Sequence, residues 1–156
     1  MTAAPGAGVS FGWGPADARR LGARAECVVV VDVLSFTTAV ARRLAAGPPA
    51  GIAVVAAGER WPDGSLRPAL EDLLAAGAVL AALRALVPGG ATLTPEATAA
   101  ATLWTATEDP VAALHGCDSG RELYEYGYPQ DVEVAAEIDS SAAVPVLVDG
   151  AFQEAP

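Results

Sequence analysis

Cys27-Val28-Val29-Val30-Val31-Asp32-Val33 is a run of β-branched residues closed by a carboxylate, and its reading decides the fold class. A continuous apolar strand suits a parallel sheet buried on both faces, so the run is expected to be the central strand, with Cys27 buried in it. Upstream, Val9, Phe11 and Trp13 alternate with small or polar residues, the period of a strand with one buried face. Gly14-Pro15 then opens a short helix to Leu21, stopped by Gly22. Downstream, Leu34-Ser35-Phe36-Thr37-Thr38 leads into a helix ending near Ala46, closed by Gly47-Pro48-Pro49. A second buried strand over residues 52–57 follows at once.

The second half of the chain reads mainly as helix. Residues 68–86 form a long helix that carries Leu70, Leu73, Leu74, Leu80 and Leu83 toward the core. Thr94 caps the next helix, with Pro95 in its first turn and an end near Trp104. Ser119-Gly120-Arg121-Glu122 has the capping-box pattern for a helix over residues 123–126, and another helix spans residues 129–137. Residues 144–148 read as a last short strand, placed at an edge because Pro145 has no N–H for a ladder. Strands alternating with helices give an α/β fold, a layered parallel or mixed sheet flanked by helices. A length of 156 residues supports one such domain, residues 1–156.

Charge limits the partners. Nine basic residues face nineteen acidic ones, a net charge of −10, which repels phosphate backbones and anionic lipid. Neither nucleic acid nor a membrane is expected as a partner. The two cysteines are too few for a disulfide framework and point to a reducing compartment. The first residues lack the charge and apolar stretch of a secretory signal, and the apolar run over residues 73–83 is too short for a bilayer. A cytoplasmic protein is the expectation.

In layered α/β folds, ligands bind beyond the carboxyl ends of the strands. Asp32 stands at such an end, where a carboxylate must be solvated, paired or bound to a cation; a plain turn role is the simpler alternative. Ser35, Thr37 and Thr38 follow at a helix start, where free N–H groups favour an anion such as phosphate; simple capping would use the same residues. Glu59, Arg60 and Asp63 lie in the loop after the second strand, and Glu71 and Asp72 open the long helix. Carboxylates there suit a hard cation, and a guanidinium suits phosphate, although a solvated charged loop has the same composition. Cys117-Asp118-Ser119-Gly120-Arg121 has three residues between cysteine and arginine where the cysteine phosphatases have five, leaving Arg121 as an anion contact or a surface residue. No lysine means no Walker phosphate loop, one histidine means no paired-histidine zinc site, and Asp32-Val33-Leu34 lacks the second aspartate of a haloacid-dehalogenase-type phosphatase.

Three segments, residues 28–38, residues 54–72 and Ser119-Gly120-Arg121-Glu122-Leu123, resemble the 2-phosphosulfolactate phosphatases. Tyr126-Gly127-Tyr128, Asp131-Val132-Glu133-Val134 and residues 144–150 follow in the family's order. The resemblance implies an α/β enzyme that uses Mg²⁺ to hydrolyse 2-phospho-3-sulfolactate to 3-sulfolactate and inorganic phosphate, a step of coenzyme M synthesis in archaea. Asp32, Glu71 and Asp72 would hold Mg²⁺, Asp32 and Glu59 would serve catalysis, and Ser35, Thr37, Thr38, Arg60 and Arg121 would bind the anionic phosphate ester. The chain departs from the family between Arg42 and Ile52, where Gly47-Pro48-Pro49-Ala50-Gly51 replaces a long central segment. Ser35 stands where many members have arginine. A second reading is therefore an inactive remnant that binds a small anion or oligomerises through its surviving half-fold, and the family leaves room for a homodimer.

Overall fold

A computed structural model describes residues 8–32 and 37–154, excluding the side chains of Thr37 and Thr38. In chain order the elements are β1 (Gly8–Trp13), α1 (Gly14–Gly22), β2 (Cys27–Val31), α2 (Thr37–Ala46) and β3 (Gly51–Ala56). A small hairpin, β4 (Glu59–Arg60) and β5 (Leu66–Arg67), leads to α3 (Leu70–Leu86), β6 (Thr92–Leu93) and α4 (Pro95–Ala106). Three short helices follow, α5 (Pro110–Gly116), α6 (Asp118–Glu125) and α7 (Pro129–Ala135), and then a hairpin of β7 (Pro145–Val148) and β8 (Ala151–Glu154).

The main sheet has the order β2-β3-β1-β6 with every pair parallel, which bears out the α/β expectation. The valine run is not its centre. β2 is an edge strand; β3 lies inside, with Ile52 to Ala56 almost wholly buried. Cys27 and Val29 are half-buried and Val31 is buried, while Val28 and Val30 are 40% and 61% exposed. Gly22 of α1 approaches Val28, so Val28 and Val30 point to the α1 side, and the nine-residue helix leaves them uncovered. Apolarity on both faces of a strand therefore did not mean cover on both faces.

α3 is the axis of the core, packed on α2, α4 and β3. Leu74, Leu80 and Leu83 are buried in it as expected, whereas Leu73 is half-buried and Leu70 is exposed. Burying each such leucine contributes roughly 1.5–3 kcal/mol. At Gly77 a Cβ would lie 2.4 Å from the Ala100 carbonyl oxygen, so the missing side chain is what lets α3 and α4 touch. Thr94 does cap α4, its Oγ1 accepting from Ala97 N–H at 3.3 Å. The last β-structure differs from the expectation, since β7 pairs only with β8 and joins no edge of the main sheet.

Candidate functional site

Asp32 follows β2, Glu59 follows the Ala57-Gly58 turn after β3, and Glu71 and Asp72 form the first turn of α3. Parallel strands ending together thus bring acids from three separate segments to one end of the sheet. Asp32, Glu59 and Glu71 share a cleft of about 430 Å³, whose opposite wall carries Cys117, Glu122 and Asp131 from α6, its cap and α7. Asp72 is not part of the cleft wall; it is buried, 2% exposed, within electrostatic reach of Asp32, Glu59 and Glu71.

Gly58 fixes Asp72. Its φ of +70° is a left-handed conformation that favours glycine, and a Cβ there would meet Leu66 at 2.7 Å and the Arg67 carbonyl oxygen at 3.1 Å. This turn aims the Gly58 N–H at Asp72 Oδ2, a hydrogen bond of 2.6 Å. Oδ1 has no partner and is the one buried side-chain polar atom among the described residues in that state. Burial pushes the Asp72 carboxyl up to about 7, against the Gly58 hydrogen bond, and the negative charges of Asp32, Glu71 and Glu59 push the same way. Partial burial and then Glu71 also raise Asp32, which is open to solvent on one side. A crowded set of carboxylates with an orphaned buried oxygen is a set that lacks positive charge.

No arginine lines this cleft among the described residues. Arg60 is exposed and donates to the Gly64 carbonyl at 3.1 Å, inside its own hairpin. Arg121 is exposed and donates to the Gly116 carbonyl and to Asp118. The cation beside the cleft is Arg67, which the sequence reading missed. It grips Glu122 through two bonds of 2.7 Å and lies 5.5 Å from the Trp61 ring centre, clasping the β4–β5 hairpin to α6. Its guanidinium holds the Glu122 carboxyl below the ordinary range. The partners lie 55 residues apart, and no local pattern announces them.

Cys117, not Ser119, caps α6. Its Sγ accepts from Gly120 N–H at 3.3 Å, so the helix begins at Asp118 and not near Leu123. The thiol lies 3.4 Å from Glu71 Oε2 and 3.1 Å from the Leu114 carbonyl, and its single S–H donates to one of them. Burial raises the thiol pKa, with the Glu71 charge adding to it, so the group is a neutral wall and not a thiolate. His115 is taken up structurally, its Nδ1 2.7 Å from the Tyr124 hydroxyl. Ser35 lies outside the described residues, as do the side chains of Thr37 and Thr38; the backbone of α2 starts at Thr37.

Hard oxygen donors, mutual repulsion and the bare Oδ1 of Asp72 give a donor set whose chemistry suits a small divalent cation. Among the described residues no three acidic, histidine or cysteine side chains stand close enough to cage one ion. Such a cation would be held by one or two carboxylates and complete its shell with water or ligand oxygens. A larger groove, about 600 Å³, lies between α1, β1 and α4, but its arginine, Arg20, is already paired with Asp17 at 2.8 Å. Among the described residues, no helix is long and apolar enough to cross a membrane.

Residues 37–150 match a family model described as 2-phosphosulpholactate phosphatase. A protein of Parasynechococcus marenigrum (strain WH8102) named "Probable 2-phosphosulfolactate phosphatase" is 36% identical over 120 residues, covering 76% of this chain and 48% of the relative. Proteins of the same name from Deinococcus radiodurans and Synechococcus sp. (strain CC9605) are 36% and 37% identical, each over 78% of this chain and 48% and 49% of the relative. The chain thus spans about half the length of the curated relatives it matches.

Proposed function

Because the chain belongs to the 2-phosphosulpholactate phosphatase family, we propose that it hydrolyses a small anionic phosphate monoester in the acidic cleft, with Mg²⁺ as cofactor and 2-phospho-3-sulfolactate as substrate. One observation carries the cofactor choice: Asp32, Glu59 and Glu71 share the cleft at the sheet's carboxyl end, neighbouring Asp72 has an unpartnered buried oxygen, and no arginine lines the cleft among the described residues, Arg67 opposite Glu59 in the hairpin being bound to Glu122. A phosphate ester entering alone would meet mainly like charge, because Arg67 beside the cleft is already paired with Glu122. A divalent cation held by those acids would offset that repulsion.

Asp32, Glu71 and Asp72 are the candidates assigned to that cation, one or two of which would hold it at a time, with water or ligand oxygens completing its shell. When bound, Mg²⁺ supplies charge neutralisation and polarises phosphoryl oxygens. Glu59, at the cleft rim, takes a proton from the attacking water as its oxygen forms the new bond to phosphorus. The ester P–O bond breaks, and a solvent proton converts the departing oxygen to the hydroxyl of the hydroxy acid. Ser35, Thr37, Thr38 and the first turn of α2 are assigned to the phosphate oxygens through N–H and hydroxyl donors. Arg60 and Arg121 join them only by leaving the Gly64 carbonyl and Asp118. The clasp of Arg67 on Glu122 keeps the far wall in place.

The test is phosphate release from 2-phospho-3-sulfolactate by the purified chain, with Mg²⁺ and with EDTA. Release that needs Mg²⁺ and falls at least 10²-fold in Asp32→Ala is expected; equal rates for wild type and Asp32→Ala would remove the assignment. The half-length match to the curated relatives favours one second reading, an inactive anion-binding or oligomeric remnant. No phosphate release together with a Tm indifferent to Mg²⁺ selects that reading.

A further inference from the structure

We propose that two copies of this chain associate by adding the β7–β8 hairpin of each to the open side of β2 in the other. β2 pairs with β3 along one edge, and among the described residues nothing pairs with its other edge. An open edge offers a row of backbone donors and acceptors to any further strand. Natural edges are usually blunted by proline, lysine or an inward charge, and Cys27–Val31 has none of these. Val28 and Val30 add an apolar stripe beside that edge, on the part of the α1 side that α1 leaves bare.

The hairpin has the matching deficiency. β7 and β8 pair only with each other, and all eight of their residues are exposed. Leu147 and Phe152 stand opposite one another in the ladder, 60% and 74% exposed, and make one apolar face. A lone two-stranded hairpin is marginal in water and gains stability when a further strand or surface covers it. One chain therefore carries both halves of an apolar contact that its own fold leaves unmade.

Charge favours a second copy as the occupant. The first 58 residues carry five arginines against three acids, and the remaining 98 carry four against sixteen. Exposed Arg19 and Arg24 lie on α1 and the turn leading into β2, whereas the hairpin carries exposed Asp149 and Glu154. Reciprocal contact brings Arg19 and Arg24 of each copy toward Asp149 of the other, Glu154 already sharing a groove with Arg42 and Arg43 of its own chain, and a two-fold axis closes the pair without open polymers.

The experiment is the solution mass of the full chain by light scattering across a range of protein concentrations. A dimer, twice 15.6 kDa, is expected. Val30→Lys on the strand and Phe152→Ser on the hairpin are each expected to halve the mass, with unchanged circular dichroism because both side chains are exposed. An equimolar mixture of the two variants retains one intact strand and one intact hairpin, so it is expected to recover a heterodimer. A wild-type monomer at every concentration overturns the proposal. So does a dimer that Val30→Lys breaks and Phe152→Ser leaves intact, because that is direct β2–β2 pairing, and so does a mixture that stays monomeric.

Discussion

Replacing Asp72 by asparagine should make the metal-free protein more stable at alkaline pH. Asp72 is nearly inaccessible, accepts one hydrogen bond, and has its carboxyl raised from 3.8 to about 7, chiefly by burial. A raised carboxyl binds its proton more tightly in the folded than in the unfolded chain, so between about pH 4 and about pH 7 stability falls as pH rises. A shift of about three units at 1.36 kcal/mol each makes the ionised group cost about 4 kcal/mol above pH 7. Asparagine keeps the shape and an acceptor for Gly58 N–H and has no charge to bury. Asp72→Asn should therefore exceed wild type by up to about 4 kcal/mol at pH 8, roughly 8–16 °C in Tm for a chain of this size, and match it near pH 4. Urea unfolding in EDTA at half-unit steps from pH 4 to pH 8 measures both curves. A gap that does not change with pH, or a variant weaker than wild type at pH 8, would refute the account of Asp72 as a destabilised buried acid. Added Mg²⁺ should then narrow the gap, since a cation that uses the ionised Asp72 carboxylate stabilises wild type more than the variant.

Gly77→Ala tests the α3–α4 contact: its new methyl must displace the Ala100 carbonyl, and a loss of about 1–3 kcal/mol in urea unfolding is expected, whereas a neutral result would mean that the helices separate freely. Arg67→Met removes the clasp on Glu122 while keeping much of the side-chain bulk over Trp61. Its Tm should fall below wild type at low salt, with the difference shrinking as salt rises; a difference unaffected by salt would assign the loss to packing and not to the ion pair.

The sequence by itself determined the α/β class, because strand-period and helix-period stretches alternate along it and proline, glycine and Thr94 mark where helices start and stop. It also placed Asp32, Glu59, Glu71 and Asp72 at the ends or starts of elements, and the rule that parallel strands finish together put them at one rim. Tertiary structure decided what neighbours each of them has. Four consecutive valines give two apolar faces, and only the pairing order and the length of α1 show that one face of β2 is bare. Arg67 finds Glu122 across 55 residues while Arg60 and Arg121 turn to local carbonyls, so the arginine that matters to the cleft wall has no signature in the chain. Asp72 differs from Glu71 beside it only because one rotates under Gly58 and the other into the cleft. Local pattern fixes the direction in which a backbone runs, whereas desolvation and charge depend on distances between segments that only packing sets.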